Sequence, residues 1–126
     1  MTKFTEGRHA GEGLLSEANF HRSRDKAVIK SGSGVIQPGT ILGKITTGGK
    51  YAPSPNAEVE GIEGAQTGIA IAIYGCDATS ADQEIAIISR DAEWRIGALV
   101  YEASVDNDAK RATKRAQLAA VGIIAR

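Results

Sequence analysis

Gly68-Ile69-Ala70-Ile71-Ala72-Ile73-Tyr74 is the stretch on which the fold turns. Large and small aliphatic side chains alternate with period two, which predicts a β-strand with Ile on one face and Ala on the other. Downstream, Glu84-Ile85-Ala86-Ile87-Ile88-Ser89 predicts a second strand, and Arg95 to Glu102 a third around Leu99, Val100 and Tyr101. Upstream, Val28-Ile29-Lys30, Val35-Ile36, Thr40 to Thr46 and Tyr51-Ala52 predict short strands. Turn chemistry separates them: Gln37-Pro38-Gly39, Thr47-Gly48-Gly49-Lys50, and a loop over 53–67 with two Pro and three Glu. One helix is predicted near 107–121, with Asp106 or Asn107 as cap and Gly122 as stop. Its Ala109, Ala112, Ala116 and Ala119 form a narrow small-residue face, opposite Lys110, Arg111, Lys114 and Arg115. Leu118 falls on the basic side, so either the helix loosens before it or another part of the molecule covers that side. Ile123-Ile124 predicts a last short strand. The fold class that follows is α+β and β-dominated: a small mixed barrel-like or sandwich body, one C-terminal helix and an extended N-terminal arm.

The arm is read from where β-branched residues are missing. Ile and Val number 20, and none precedes Val28. The first 26 positions instead carry nine charged residues, with Phe4, His9, Phe20 and His21 among them. This divides the chain into an arm over 1–27 and a body over 28–126. The arm is expected to be flexible or extended until it meets a partner, the other reading being an ordered lid on its own domain. Its apolar anchors Phe4, Leu14, Leu15 and Phe20 are widely spaced, and Gly7, Gly11 and Gly13 allow close backbone approach. Such a segment is suited to gaining order along a partner's sheet edge.

The chain has 126 residues, enough for one domain, and a formal net charge of zero. Zero charge argues against binding polyanions through bulk electrostatics, so neither nucleic acid nor an acidic membrane is expected as partner. The zero is a cancellation: residues 1–50 carry +4, 51–93 carry −7 and 94–126 carry +3. Blocks of this kind suit head-to-tail subunit contacts, with Glu58, Glu60 and Glu63 against Lys110, Arg111, Lys114 and Arg115 of a neighbour. Scattered surface charge is the other reading. The one cysteine, Cys76, excludes an internal disulfide. No apolar run approaches the roughly 18 residues of a membrane span, and the N-terminal region does not resemble a signal peptide. The chain therefore reads as soluble and made in a reducing cytoplasm.

Catalytic motifs are missing: no nucleophile elbow, no phosphate-binding Gly-rich loop, no His-Glu-x-x-His and no Cys-x-x-Cys. Glu6, His9, Glu12 and His21 have metal-ligand chemistry but sit in a Gly-containing segment with no fixed geometry, so no metal or other cofactor is expected. Cys76 follows a buried-looking strand and reads as a small buried thiol rather than a nucleophile. Trp94, between two charged residues, reads as partly buried packing or as an interface residue. The expectation is a protein that is not an enzyme.

Glu6-Gly7-Arg8-His9-Ala10-Gly11-Glu12, followed by Leu14-Leu15-Ser16-Glu17-Ala18-Asn19, resembles the N-terminal signature of the tailed-bacteriophage head decoration proteins, the lambda gpD-like family. Pro38 to Ile45, Gly68 to Tyr74 and Leu118 to Arg126 fit the same family. The resemblance implies a homotrimer on the outer surface of the virion capsid, synthesised in the host cytoplasm. The trimer would bind the major capsid protein of a tailed phage at three-fold positions of the expanded head and stabilise it against internal DNA pressure. Carried onto this chain, the capsid-contacting residues are Thr5, Glu6, Gly7, Arg8, His9, Ala10, Gly11 and Glu12, with Leu14 and Leu15 leading into the body. A head–tail joining protein and a small β-barrel ligand-binding or accessory module are the alternatives.

Overall fold

The computed structural model describes residues 6–19 and 22–126. Ten strands are described: β1 (Leu14–Glu17), β2 (Arg24–Ile29), β3 (Gly34–Ile36), β4 (Ile41–Lys44), β5 (Tyr51–Pro53), β6 (Ala70–Ala72), β7 (Cys76–Ala78), β8 (Gln83–Ile88), β9 (Ala92–Trp94) and β10 (Ile123–Ala125). A short 3-10 helix (Ile96–Ala98) and one α-helix, α1 (Asp108–Ala120), complete the set.

Five strands close a barrel in the order β2-β5-β4-β6-β8. The longest seam is antiparallel β2–β8, from Arg24↔Ile88 to Ile29↔Gln83. The shortest is the parallel β2–β5 closure at Ile29↔Tyr51. A second sheet, β1-β9-β10, and a two-stranded β3–β7 ribbon complete the body.

The alternation that opened the sequence reading is realised in β6, with both faces buried. Ala70 and Ala72 belong to the core cluster with Ala27 and Ile29 of β2, Leu42 of β4, and Ile85 and Ile87 of β8. Ile71 and the following Ile73 point the other way, into a second core with Ile41, Ile88, Trp94, Leu118 and Ile123. On β6, small residues thus face the barrel interior beside larger ones from its neighbours, and large residues face the layer between the barrel and the β1-β9-β10 sheet with α1.

Three sequence expectations change. Strands begin before Val28: β1 pairs antiparallel with β9 and β2 pairs along its whole length with β8. β1 and the part of β2 before Val28 lack Ile and Val; backbone pairing and a few buried side chains, Ala27 among them, are enough for strands half open to solvent. Residues 95–102 form a 3-10 turn, not a strand, and Val100 keeps only a single bridge to Thr40. The Ala98 N–H goes to the Arg95 carbonyl and the Leu99 N–H to Ile96, so the backbone there is satisfied locally. On α1, the Ala face is the exposed one, whereas Lys114 and Leu118 are buried. The misfit at Leu118 therefore has the second of its two explanations: the basic side of the helix packs on the body.

Candidate functional site

The N-terminal run is seated on the body by its distal half. Glu6, Gly7, Arg8, His9 and Ala10 are exposed. The Gly11 N–H donates to the Ile73 carbonyl at 3.0 Å, just past β6, and the Leu14 N–H closes a turn onto the Gly11 carbonyl at 3.1 Å. Gly11 has φ +66°, a conformation that favours glycine. The Arg8 guanidinium reaches the Ala98 carbonyl at 3.2 Å, and the Arg95 N–H donates to the Gly13 carbonyl at 2.7 Å. His9 Nε2 lies 2.8 Å from Glu6 Oε1, and Arg8 lies 3.7 Å from Glu12. Leu14 packs into the second core, while Leu15 stays half exposed beside it. Thr5, Phe4, Phe20 and His21 lie outside the described residues.

Trp94 sits beneath this turn. It is fully buried rather than partly so, and its indole N–H has no acceptor among the described residues. Gly13 lies so close that a β-carbon there would stand 2.2 Å from Trp94 Nε1. The absence of a side chain at residue 13 is what lets the N-terminal segment cross the indole.

The two charge sets read as a subunit contact are used differently. Glu58 and Glu60 are exposed and form no ion pair among the described residues. The Glu63 carboxylate accepts the Gly61 N–H at 3.0 Å, which lowers its pKa. On α1, Lys110 pairs with Asp106 at 2.9 Å, Arg111 stacks over the Tyr101 ring at 5.5 Å, and Arg115 donates to the Tyr101 hydroxyl at 3.1 Å. Lys114 is the correction: it is 1% exposed and bonded inside its own chain, so it has no surface to offer a neighbour. Burial pushes its pKa below the ordinary lysine value, with the Glu102 carboxylate acting in the opposite direction. Sequence reasoning missed this role, and the place of Leu118 on the same side was the signal that pointed to it.

A second anchor holds the root of β2. The buried Ser23 hydroxyl accepts the Ala18 N–H at 3.0 Å and donates to the Asp91 carbonyl at 2.8 Å. Asp25 accepts from the Ser89 hydroxyl at 2.5 Å and pairs with Arg90, and both lower its pKa, Ser89 more strongly. Arg24 makes a forked bond to Glu17, linking β2 to β1.

No cluster of three or more His, Cys, Asp or Glu side chains comes together among the described residues. Cys76 is half buried, and its thiol pKa is raised, first by burial and then by Asp77. A nucleophilic cysteine needs the reverse. No described helix is long and apolar enough to cross a membrane.

A family model described as bacteriophage lambda head decoration protein D matches residues 3–123. Among curated proteins, nothing matches.

Proposed function

The chain belongs to the family of the bacteriophage lambda head decoration protein D, and from that premise we propose that it binds as a homotrimer to the outside of the expanded phage head. It sits there at three-fold positions on the major capsid protein and stabilises the shell against internal DNA pressure. The family is one of structural capsid proteins, so the activity is binding, not catalysis. The observation that carries the reading is the extent of the match, residues 3–123, which takes in the Glu6–Glu12 run as well as the body.

Capsid contact is assigned to Thr5 through Glu12 with Leu14 and Leu15. In support, Glu6 to Ala10 are exposed while Gly11 and Leu14 are fixed to the body, so the segment is presented from a firm root. Three such segments per trimer turn modest single affinities into a strong grip. The contact between subunits is assigned to Glu58, Glu60 and Glu63 against Lys110, Arg111 and Arg115 of the neighbouring copy. The protein is synthesised in the host cytoplasm and ends on the virion exterior.

The test is reconstruction of expanded heads mixed with the protein. Density at three-fold positions is expected; density at a single vertex would instead mark a head–tail joining protein. Deleting residues 1–12 leaves β1 intact and is expected to preserve fold and oligomeric state while abolishing head binding. Normal binding by that deletion would remove the N-terminal assignment.

A further inference from the structure

The loop from Pro55 to Gln66 has no strand or helix of its own, yet its two ends meet at one atom. Lys114 Nζ, on α1, donates to the Pro55 carbonyl at 2.6 Å and to the Gln66 carbonyl at 2.5 Å. It also donates to Ser54 Oγ at 2.7 Å. A fourth oxygen, Gln117 Oε1, stands at 3.3 Å and already accepts the Gly68 N–H at 2.8 Å. Three short acceptors match the three protons of an ammonium group. A neutral amine has two protons, and its lone pair would face one of these oxygens. None of the four oxygens belongs to a carboxylate, so this is not a salt bridge. It is a cage of neutral oxygens around a buried lysine nitrogen.

We propose that this cage is a primary-ammonium site whose resident cation is the chain's own Lys114, and that filling it closes the 55–66 loop in a single pose. The proposal stands apart from the capsid reading and holds whichever surface meets the shell. Elsewhere the loop is tied by the Thr46 N–H to the Glu63 carbonyl at 2.9 Å, the Asn56 N–H to Ser104 Oγ at 2.8 Å and the Lys30 ammonium to the Gly61 carbonyl at 3.1 Å, and Ile62 and Ala65 pack against Ile45 and Ala52. Among the hydrogen bonds of the described residues, the cage is what joins its beginning to its end. Without it, the tip carrying Glu58 and Glu60 is held through Lys30 and Ile62 and opens more often, while the barrel keeps its own seams.

Lys114→Ala removes one n-propylammonium from the protein, which makes the test direct. In that variant, amides of residues 56–66 are expected to exchange about tenfold faster while β2 and β8 stay protected. Added n-propylammonium chloride is expected to slow that exchange and raise the melting temperature saturably. Sodium chloride and n-propanol at the same concentration are expected to do neither, and the wild type is expected to be indifferent to all three. Unchanged loop exchange, or n-propylammonium acting no better than sodium chloride, overturns the proposal. Should Lys114→Ala fail to fold, the wild type decides: nitrogen–proton spectra at neutral pH are expected to show one slowly exchanging lysine ammonium, and its absence overturns the proposal equally.

Discussion

Gly13 crosses Trp94 with no room for a side chain between them. A β-carbon at residue 13 meets Trp94 Nε1 at 2.2 Å and the Ala98 methyl at 2.7 Å, so something packed must move. Gly13→Ala is expected to cost about 1–3 kcal/mol, the usual range for overpacking, measured by urea unfolding. Gly7→Ala, with nothing within 4 Å, is expected to stay within about 0.5 kcal/mol. Equal effects at the two positions would show that the turn does not rest on the indole. The burial of Trp94 was hidden in the sequence by its neighbours Glu93 and Arg95. In a strand, flanking residues point to the opposite face, so their charge says nothing about the residue between them. Lys114 was hidden for a related reason: a lysine at helical spacing among other bases reads as solvated, and its acceptors come from residues 48–60 positions away.

Elements with internal periodicity were legible, and elements defined by their partners were not. The Ile/Ala pattern of β6 and the apolar run of β8 mark strands without reference to anything else. The helix is likewise self-announcing: the Asn107 side chain caps it by accepting the Lys110 N–H at 2.9 Å, and Gly122 ends it with φ +85°. β1 and the first half of β2 carry no such pattern, because their stability lies in pairing with β9 and β8. Asp25 reinforces the β2–β8 seam through Ser89 and Arg90, and its folded pKa lies below the ordinary 3.8. The sign follows: its contribution is full above 3.8 and is lost as pH falls through the lowered folded value. Urea midpoints measured across the acid range are therefore expected to fall on acidification, and Asp25→Asn to make that fall shallower. An unchanged acid slope in the variant would take Asp25 out of the account.

At the scale of the whole molecule, the opposed charge blocks are only partly spent within the chain. Lys110 pairs with Asp106 just before the helix, and Arg111 and Arg115 engage Tyr101, but Glu58 and Glu60 are exposed with no ion pair among the described residues. If the proposed trimer joins the acidic loop of one copy to the helix of the next, it is expected to weaken as salt rises, since exposed pairs are screened within about 3 Å at 1 M. Sedimentation at low and high salt measures this, and a salt-independent trimer excludes these residues from the contact. The barrel has a further consequence, for the order of events during synthesis. Its longest seam joins Arg24–Ile29 to Gln83–Ile88, across more than fifty intervening residues. The first four barrel strands can be translated and still form no closed wall, because the strand that seals them comes last. β1 then waits longer still, for β9 at Ala92–Trp94. The N-terminal segment, translated before the barrel, is thus among the last to find its seat, and a nascent chain holds it unanchored until the strands that seat it exist.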